Sequence, residues 1–176
     1  MLTPEHLIAR YGLEPLPEEG GYFVQTYLCD EEVPAQGLPE RYNSARPLST
    51  AILYLLTGEP GCFSALHQLV SDEVWHFYLG DPVEMLLLYP GGRSEAAVLG
   101  PDIPGGQQVQ LTVKRGVIQG ARLRPGGRFA LLGTTVAPGY IPADVSFADR
   151  EILLASHPEQ AELIAALTRP GRRSRP

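Results

Sequence analysis

Apolar positions along the chain fall into short runs separated by Gly and Pro, and few runs keep a helical period. Segments 21–29 (GYFVQTYLC), 48–58 (LSTAILYLLTG), 62–70 (CFSALHQLV), 73–80 (EVWHFYLG) and 83–90 (VEMLLLYP) are rich in β-branched, aromatic and aliphatic residues. So are EAAVLG at 95–100, QVQLTV at 108–113, ARLRPG at 121–126 and RFALLGTTVAP at 128–138. Most end at turn residues, which predicts a series of short strands with the rhythm of a sandwich or barrel. Ser71-Asp72-Glu73 reads as a hairpin turn between two of them, and the polar stretch 30–47 as an exposed excursion.

Helical spacing appears only near the ends. Thr3 can cap, Pro4 open and Gly12 close a short helix whose Leu7, Ile8 and Tyr11 share the face expected to pack. Toward the C-terminus, Ser156 with Glu159 forms a capping box before the apolar stripe Leu163, Ile164 and Leu167.

Strand alternation sorts side chains between two faces. Along 73–79, Glu73, Trp75, Phe77 and Leu79 point one way, and Val74, His76 and Tyr78 the other. With the first set inside, Phe63, Ala65, His67 and Leu69 join it, while Cys62, Ser64, Leu66 and Gln68 point away. The interior is then aromatic and apolar with one imidazole and one carboxylate, the make-up of a small-molecule pocket. His76 is left at a surface or interface. His6 and His157 belong to helix ends, His157 solvated beside its cap.

Composition bounds this reading. The 176 residues suit a single domain over 1–168, with an Arg-rich tail at 169–176 expected to be disordered. Net charge is −6, and removing the four arginines of the last eight positions takes it to −10. Such a body repels nucleic acid and anionic membranes, so neither is an expected partner. Cys29 and Cys62 match no metal spacing, and Cys62 reads as a small core residue. No run approaches a membrane span, and MLTPEHLIARYG is too polar for a signal peptide, so the cytoplasm is expected.

The stretch 61–80 carries the candidate chemistry. Gly61, His67, Leu69, Glu73 and Gly80 resemble the first motif of the cupin superfamily, with Leu69 in place of a second histidine. Lys114-Arg115-Gly116-Val117-Ile118-Gln119 resembles the second motif, with Gln119 where a histidine would stand. Further blocks resemble one branch, the cupin_5 or DUF985 family: Pro17-Glu18-Glu19-Gly20-Gly21-Tyr22-Phe23 with one extra Glu, Thr26-Tyr27, Arg46-Pro47 and Ser49 through Leu56. Ser71 through Tyr78, then Gln119 with Ala121, and Val136 through Tyr140 with Phe147, continue the likeness. Ile118 stands where that family carries Trp, which would remove an aromatic wall and change the ligand.

The resemblance implies an all-β double-stranded β-helix, the cupin jelly roll, with short terminal helices, and a homodimer helped by the apolar strand 48–56. It fixes activity far less, because fold does not set function. The first expectation is an isomerase- or epimerase-like enzyme for a sugar-like or carboxylated metabolite. His67 would be the base, with Glu73 setting its tautomer, Tyr54 or Tyr140 the acid, and Gln119 orienting the substrate. The alternative is a non-catalytic module binding a sugar or nucleotide sugar. There Trp75, Phe77, Phe23 and Tyr27 stack on the ligand, Glu73 and Arg46 read its polar edge, and Thr50 lines the site. A third reading is a degenerate metal-dependent cupin. Two good ligands and an amide do not favour a metal, and no cofactor is expected; a divalent ion, if bound, would sit on His67, Glu73 and Gln119.

Overall fold

The computed structural model describes residues 2–169. The segment 170–176, most of the expected tail, lies outside the described residues. Arg169 itself lies on the body: its guanidinium donates to the carbonyls of Glu18 and Glu19 and sits 4.6 Å from the Phe63 ring centroid.

Two antiparallel sheets face each other. The first contains β1 (Glu14–Pro15), β2 (Tyr22–Leu28), β5 (Thr50–Thr57), β7 (Glu73–Gly80), β10 (Gln110–Val113) and β12 (Phe129–Val136), in the order β1-β2-β5-β12-β7-β10. The second contains β6 (Ser64–Leu69), β8 (Val83–Leu88), β9 (Ser94–Leu99), β11 (Ile118–Leu123) and β13 (Val145–Phe147), in the order β13-β6-β11-β8-β9. A small ribbon pairs β3 (Glu32–Val33) with β4 (Arg46–Pro47). Consecutive strands thus cross repeatedly between sheets, the jelly-roll wrapping that the resemblance implies.

The crossing corrects one expectation. Ser71-Asp72-Glu73 is not a hairpin turn, because β6 and β7 lie in different sheets. Periodicity marks both strands but is blind to which neighbour each one pairs with.

Between the sheets lies a core built on Tyr54, Leu56, Trp75, Met85, Leu87 and Leu132. A second cluster covers the outer side of β6 and β8. There Leu66, Leu86 and Leu88 meet Leu153, Ile164 and Leu167 from the helices α2 (Arg150–Ser156) and α3 (Ala161–Ala166). Leu66 points away from the interior as alternation predicts, but it is buried beneath these helices. Asp149 caps α2 by accepting from the N–H groups of Glu151 and Ile152. Ser156 therefore ends a helix instead of starting one, and His157 is buried, its Nδ1 2.9 Å from Ser156 Oγ, not solvated.

Helix α1 (Pro4–Tyr11) has the expected Thr3 cap and a left-handed Gly12 (φ 65°). Leu7 and Ile8 pack, whereas Tyr11 stays exposed. Segment 30–47 is anchored where an exposed loop was expected: Tyr42 and Arg46 are buried, and Tyr42 Oη lies 3.0 Å from Ser71 Oγ. Strand β5 is flanked by β2 and β12, so its apolar content serves this chain's own core and says nothing for a dimer. No described helix is long and apolar enough to cross a membrane.

Candidate functional site

A cavity of about 840 Å³ lies at one end of the two sheets. Its polar lining comprises His67, Glu73, Thr50, Thr134 and Tyr140, with Glu19, Glu14 and Gln25. Leu16, Phe23, Ile52, Leu69, Val136 and Val145 supply the apolar walls. The volume and mixture fit a metabolite-sized ligand.

A bulge sets the phase of His67. On β6, Ser64 opposes Ala121 while His67 opposes Gln119, so three steps on one strand match two on the other. Before the bulge the alternation is reversed. Cys62 packs into the inner core, Phe63 joins the outer cluster, and Ser64 donates to Glu19 at 2.7 Å, each opposite to expectation. After the bulge, His67 and Leu69 face the cavity as predicted.

His67 is buried, and its Nδ1 lies 2.7 Å from the Ala65 carbonyl oxygen. A carbonyl only accepts, so Nδ1 carries the hydrogen and Nε2 presents a lone pair. Nε2 has no hydrogen-bond partner among the described residues, and it is the ring edge left for the cavity. The backbone, not Glu73, therefore fixes the tautomer.

Glu73 opens β7 and is buried. Its Oε2 accepts from Gln119 Nε2 at 2.5 Å and from Trp75 Nε1 at 3.2 Å, while Trp75 Nε1 also donates to Gln119 Oε1 at 2.9 Å. This closed triangle joins the two sheets through the core. Burial and the nearby Glu19 push the Glu73 carboxyl up, against the opposing pull of His67, Thr134 and Gln119. Tyr140 is pushed up to about 12, by burial first and then by the charges of Glu19, Asp144 and Glu73, so its hydroxyl stays protonated.

The remaining predicted residues separate from the cavity. Tyr54 is fully buried with its hydroxyl donating to the Gly20 carbonyl at 2.8 Å, which commits the proton that an acid would need. Trp75 and Gln119 lie behind the wall, holding Glu73, and Phe77 packs on the core outside the lining. Tyr27 is 51% exposed, because a register shift between Gln25 and Tyr27 turns it outward. Arg46 is bound bidentately by Asp144, at 3.1 Å for Nε and 2.5 Å for Nη2, and reads no ligand edge. Ile118 packs in the outer cluster, so the missing Trp takes nothing from the cavity wall. His76 sits on the outer face of β7 beside Thr135 and Gln110.

Sequence reasoning missed Glu19 and Thr134. Thr134 gave no signal beyond its strand phase. Glu19 was visible as the acidic residue before Gly20-Gly21, in a loop whose positive φ values (Glu18 67°, Gly20 102°, Gly21 70°) aim its side chain at Ser64. A Cβ on Gly20 would lie 2.4 Å from the Phe63 carbonyl oxygen, so only glycine permits this approach.

The donor set does not fit a tightly held divalent metal. Gln119 turns its amide nitrogen toward Glu73 and its oxygen toward Trp75, and among the described residues no three His, Cys, Asp or Glu converge as ligands.

Comparison with known proteins agrees with this architecture. The chain is 29% identical over 159 residues to the uncharacterised protein YML079W of Saccharomyces cerevisiae, covering 85% of this chain and 78% of that protein. The crystal structure of protein SO0799 from Shewanella oneidensis is similar with a TM-score of 0.82 and 30% identity, over 97% of this chain and 99% of that one. A hypothetical protein from Leishmania major also gives 0.82, with 26% identity over 95% and 99%. The family model described as Cupin_5, cupin superfamily (DUF985), matches residues 5–148, and the chain belongs to that family.

Proposed function

We propose that the chain is an isomerase- or epimerase-like enzyme for a small hydroxylated carbonyl compound, with His67 as the base and Tyr140 as the hydrogen-bond donor. The observation that carries this is the fixed His67 ring, whose Nδ1 is spent on Ala65 and whose Nε2 is free in a metabolite-sized cavity. Nε2 takes the proton from a carbon next to a carbonyl, and the C–H electron pair moves into the new carbon–carbon double bond. The carbonyl oxygen becomes an enolate oxygen, stabilised by the Tyr140 hydroxyl, which its environment keeps protonated. Nε2 returns the proton to the former carbonyl carbon, and the hydroxyl proton of the neighbouring carbon passes to the enolate oxygen as the new carbonyl forms there, which completes the isomerisation without net oxidation or an added reactant.

Stacking as the main binding mode has less support, since of the proposed aromatics only Phe23 lines the cavity. The test is incorporation of solvent deuterium into a panel of ketoses, followed by NMR. The wild type should exchange a proton next to the carbonyl, and His67→Gln should abolish exchange while keeping its fold. Exchange undiminished in His67→Gln excludes the base. The family resemblance also carries a proposed homodimer, checked by light scattering at micromolar concentration; a monomer mass would remove it.

A further inference from the structure

The lining of the cavity carries acidic side chains and no Lys or Arg among the described residues. Glu19, Glu73 and Glu14 all contribute, with His67 as the fourth titratable group besides Tyr140. Among the described residues the one buried guanidinium, that of Arg46, is neutralised by Asp144, whose carboxylate takes both of its facing N–H groups. The Glu19 carboxylate accepts from Ser64 on Oε1, and Glu14 is exposed at the rim. His67, 2% exposed as a residue, lines the same space, and its Nε2 has no hydrogen-bond partner among the described residues.

From this arrangement we infer that the ligand of the cavity is a small organic cation, a hydroxylated compound bearing an amino group. The inference rests on the small-molecule reading above and narrows its substrate class. A phosphate or carboxylate would meet two or three carboxylates with no fixed cation to neutralise it, a costly desolvation. An ammonium gains instead from the carboxylates of Glu19 and Glu73, and its N–H donors match the Glu19 oxygen that Ser64 does not occupy. The rings of Phe23 and Tyr140 on the lining can also attract a cation. Sugar nucleotides and carboxylated metabolites, both expected from the sequence, are therefore poor candidates. The acidic body, at −9 once Arg172, Arg173 and Arg175 are set aside, steers in the same direction.

The arginine at the end of the described chain supports the same site. Arg169 grips the carbonyls of Glu18 and Glu19 and so secures the loop that presents the Glu19 carboxylate, without lining the cavity itself.

The experiment compares three matched probes on the full chain: 1-amino-1-deoxy-D-fructose, D-fructose and D-fructose 6-phosphate. Calorimetry should find the amino ketose bound roughly tenfold or more tighter than fructose, with the advantage shrinking at high salt, and the phosphate ester weakest. Glu19→Gln, which keeps an oxygen for Ser64, should remove most of that advantage and lower fructose affinity much less. Amino-ketose binding no tighter than that of fructose, including none measurable, overturns the inference, as does tighter binding of the phosphate ester. Deuterium exchange on the same probes separates this from the catalytic reading. Selective amino-ketose binding without exchange sinks proton transfer and leaves charge selection standing. Equal affinity and equal exchange of fructose and the amino ketose do the reverse.

Discussion

Arg46 and Asp144 show what a single buried pair can decide. They are 98 positions apart, so no sequence spacing joins them, and an arginine met alone reads as a ligand contact. In the fold the pair fastens the segment after Tyr140, where Asp144 also accepts from the Ile141 N–H at 3.1 Å. Arg46→Met leaves an uncompensated buried carboxylate and should cost about 3–5 kcal/mol. Melting should fall by roughly 10 °C for a chain of this size, and adding Asp144→Leu should restore part of it. No recovery in the double variant would contradict the account. Glu73 makes a separate, pH-dependent prediction. Its folded carboxyl is held above the usual 4.5, so the folded state binds that proton more tightly than the unfolded one. The resulting stability is present at low pH and declines as pH rises from the unfolded value through the folded one. Glu73→Gln removes that decline, so the Tm of the variant relative to wild type should rise between about pH 5 and about pH 8. A constant or falling difference would refute the assignment. His67 and Glu73 were legible because alternation depends only on the strand itself. Tyr54 and Trp75 share the interior, but whether a buried ring lines a cavity or backs it depends on depth, which periodicity does not encode.

At the level of elements, departures from regular alternation decide which residues meet. The bulge in β6 turns Cys62 and Ser64 inward, and the shift in β2 turns Tyr27 out. Neither bulged strand carries a Gly or Pro to mark it; the glycine at the first, Gly120, lies on the paired strand β11, where only the pairing gives it meaning. The loop at 16–21 is the opposite case: its glycines announced a turn, and the consequence for Glu19 follows from their conformation. Gly20→Ala forces a Cβ against the Phe63 carbonyl at a positive φ and should cost about 1–3 kcal/mol. It should also displace Glu19 and weaken amino-ketose binding; unchanged affinity would show that the loop does not position the site. Arg169→Ala should reduce the same affinity roughly threefold to tenfold through loss of two charged hydrogen bonds, with a smaller effect on fructose. Equal loss for both probes would mark a general structural role. Helix α2 went unread because its cap, Asp149, is separated from β13 by Ala148 alone, with no Gly or Pro between them.

Across the whole molecule, the turn rhythm revealed an all-β chain, and the motif spacing pointed to the jelly roll. Pairing stayed hidden, since β6 and β7 adjoin in sequence yet belong to opposite sheets. That separation is what places His67 on one wall and Glu73 on the other, with Gln119 bridging to Glu73 from beside His67. The cavity is a product of topology. Its chemistry rests on one claim, that His67 holds its hydrogen on Nδ1 and offers Nε2 to the ligand. Nitrogen-15 NMR of labelled histidine reads this directly. The free protein should show the Nδ1–H tautomer at His67, and saturation with 1-amino-1-deoxy-D-fructose should move the Nε2 resonance. An Nε2–H tautomer, or ring nitrogens unmoved at saturation, would contradict the account.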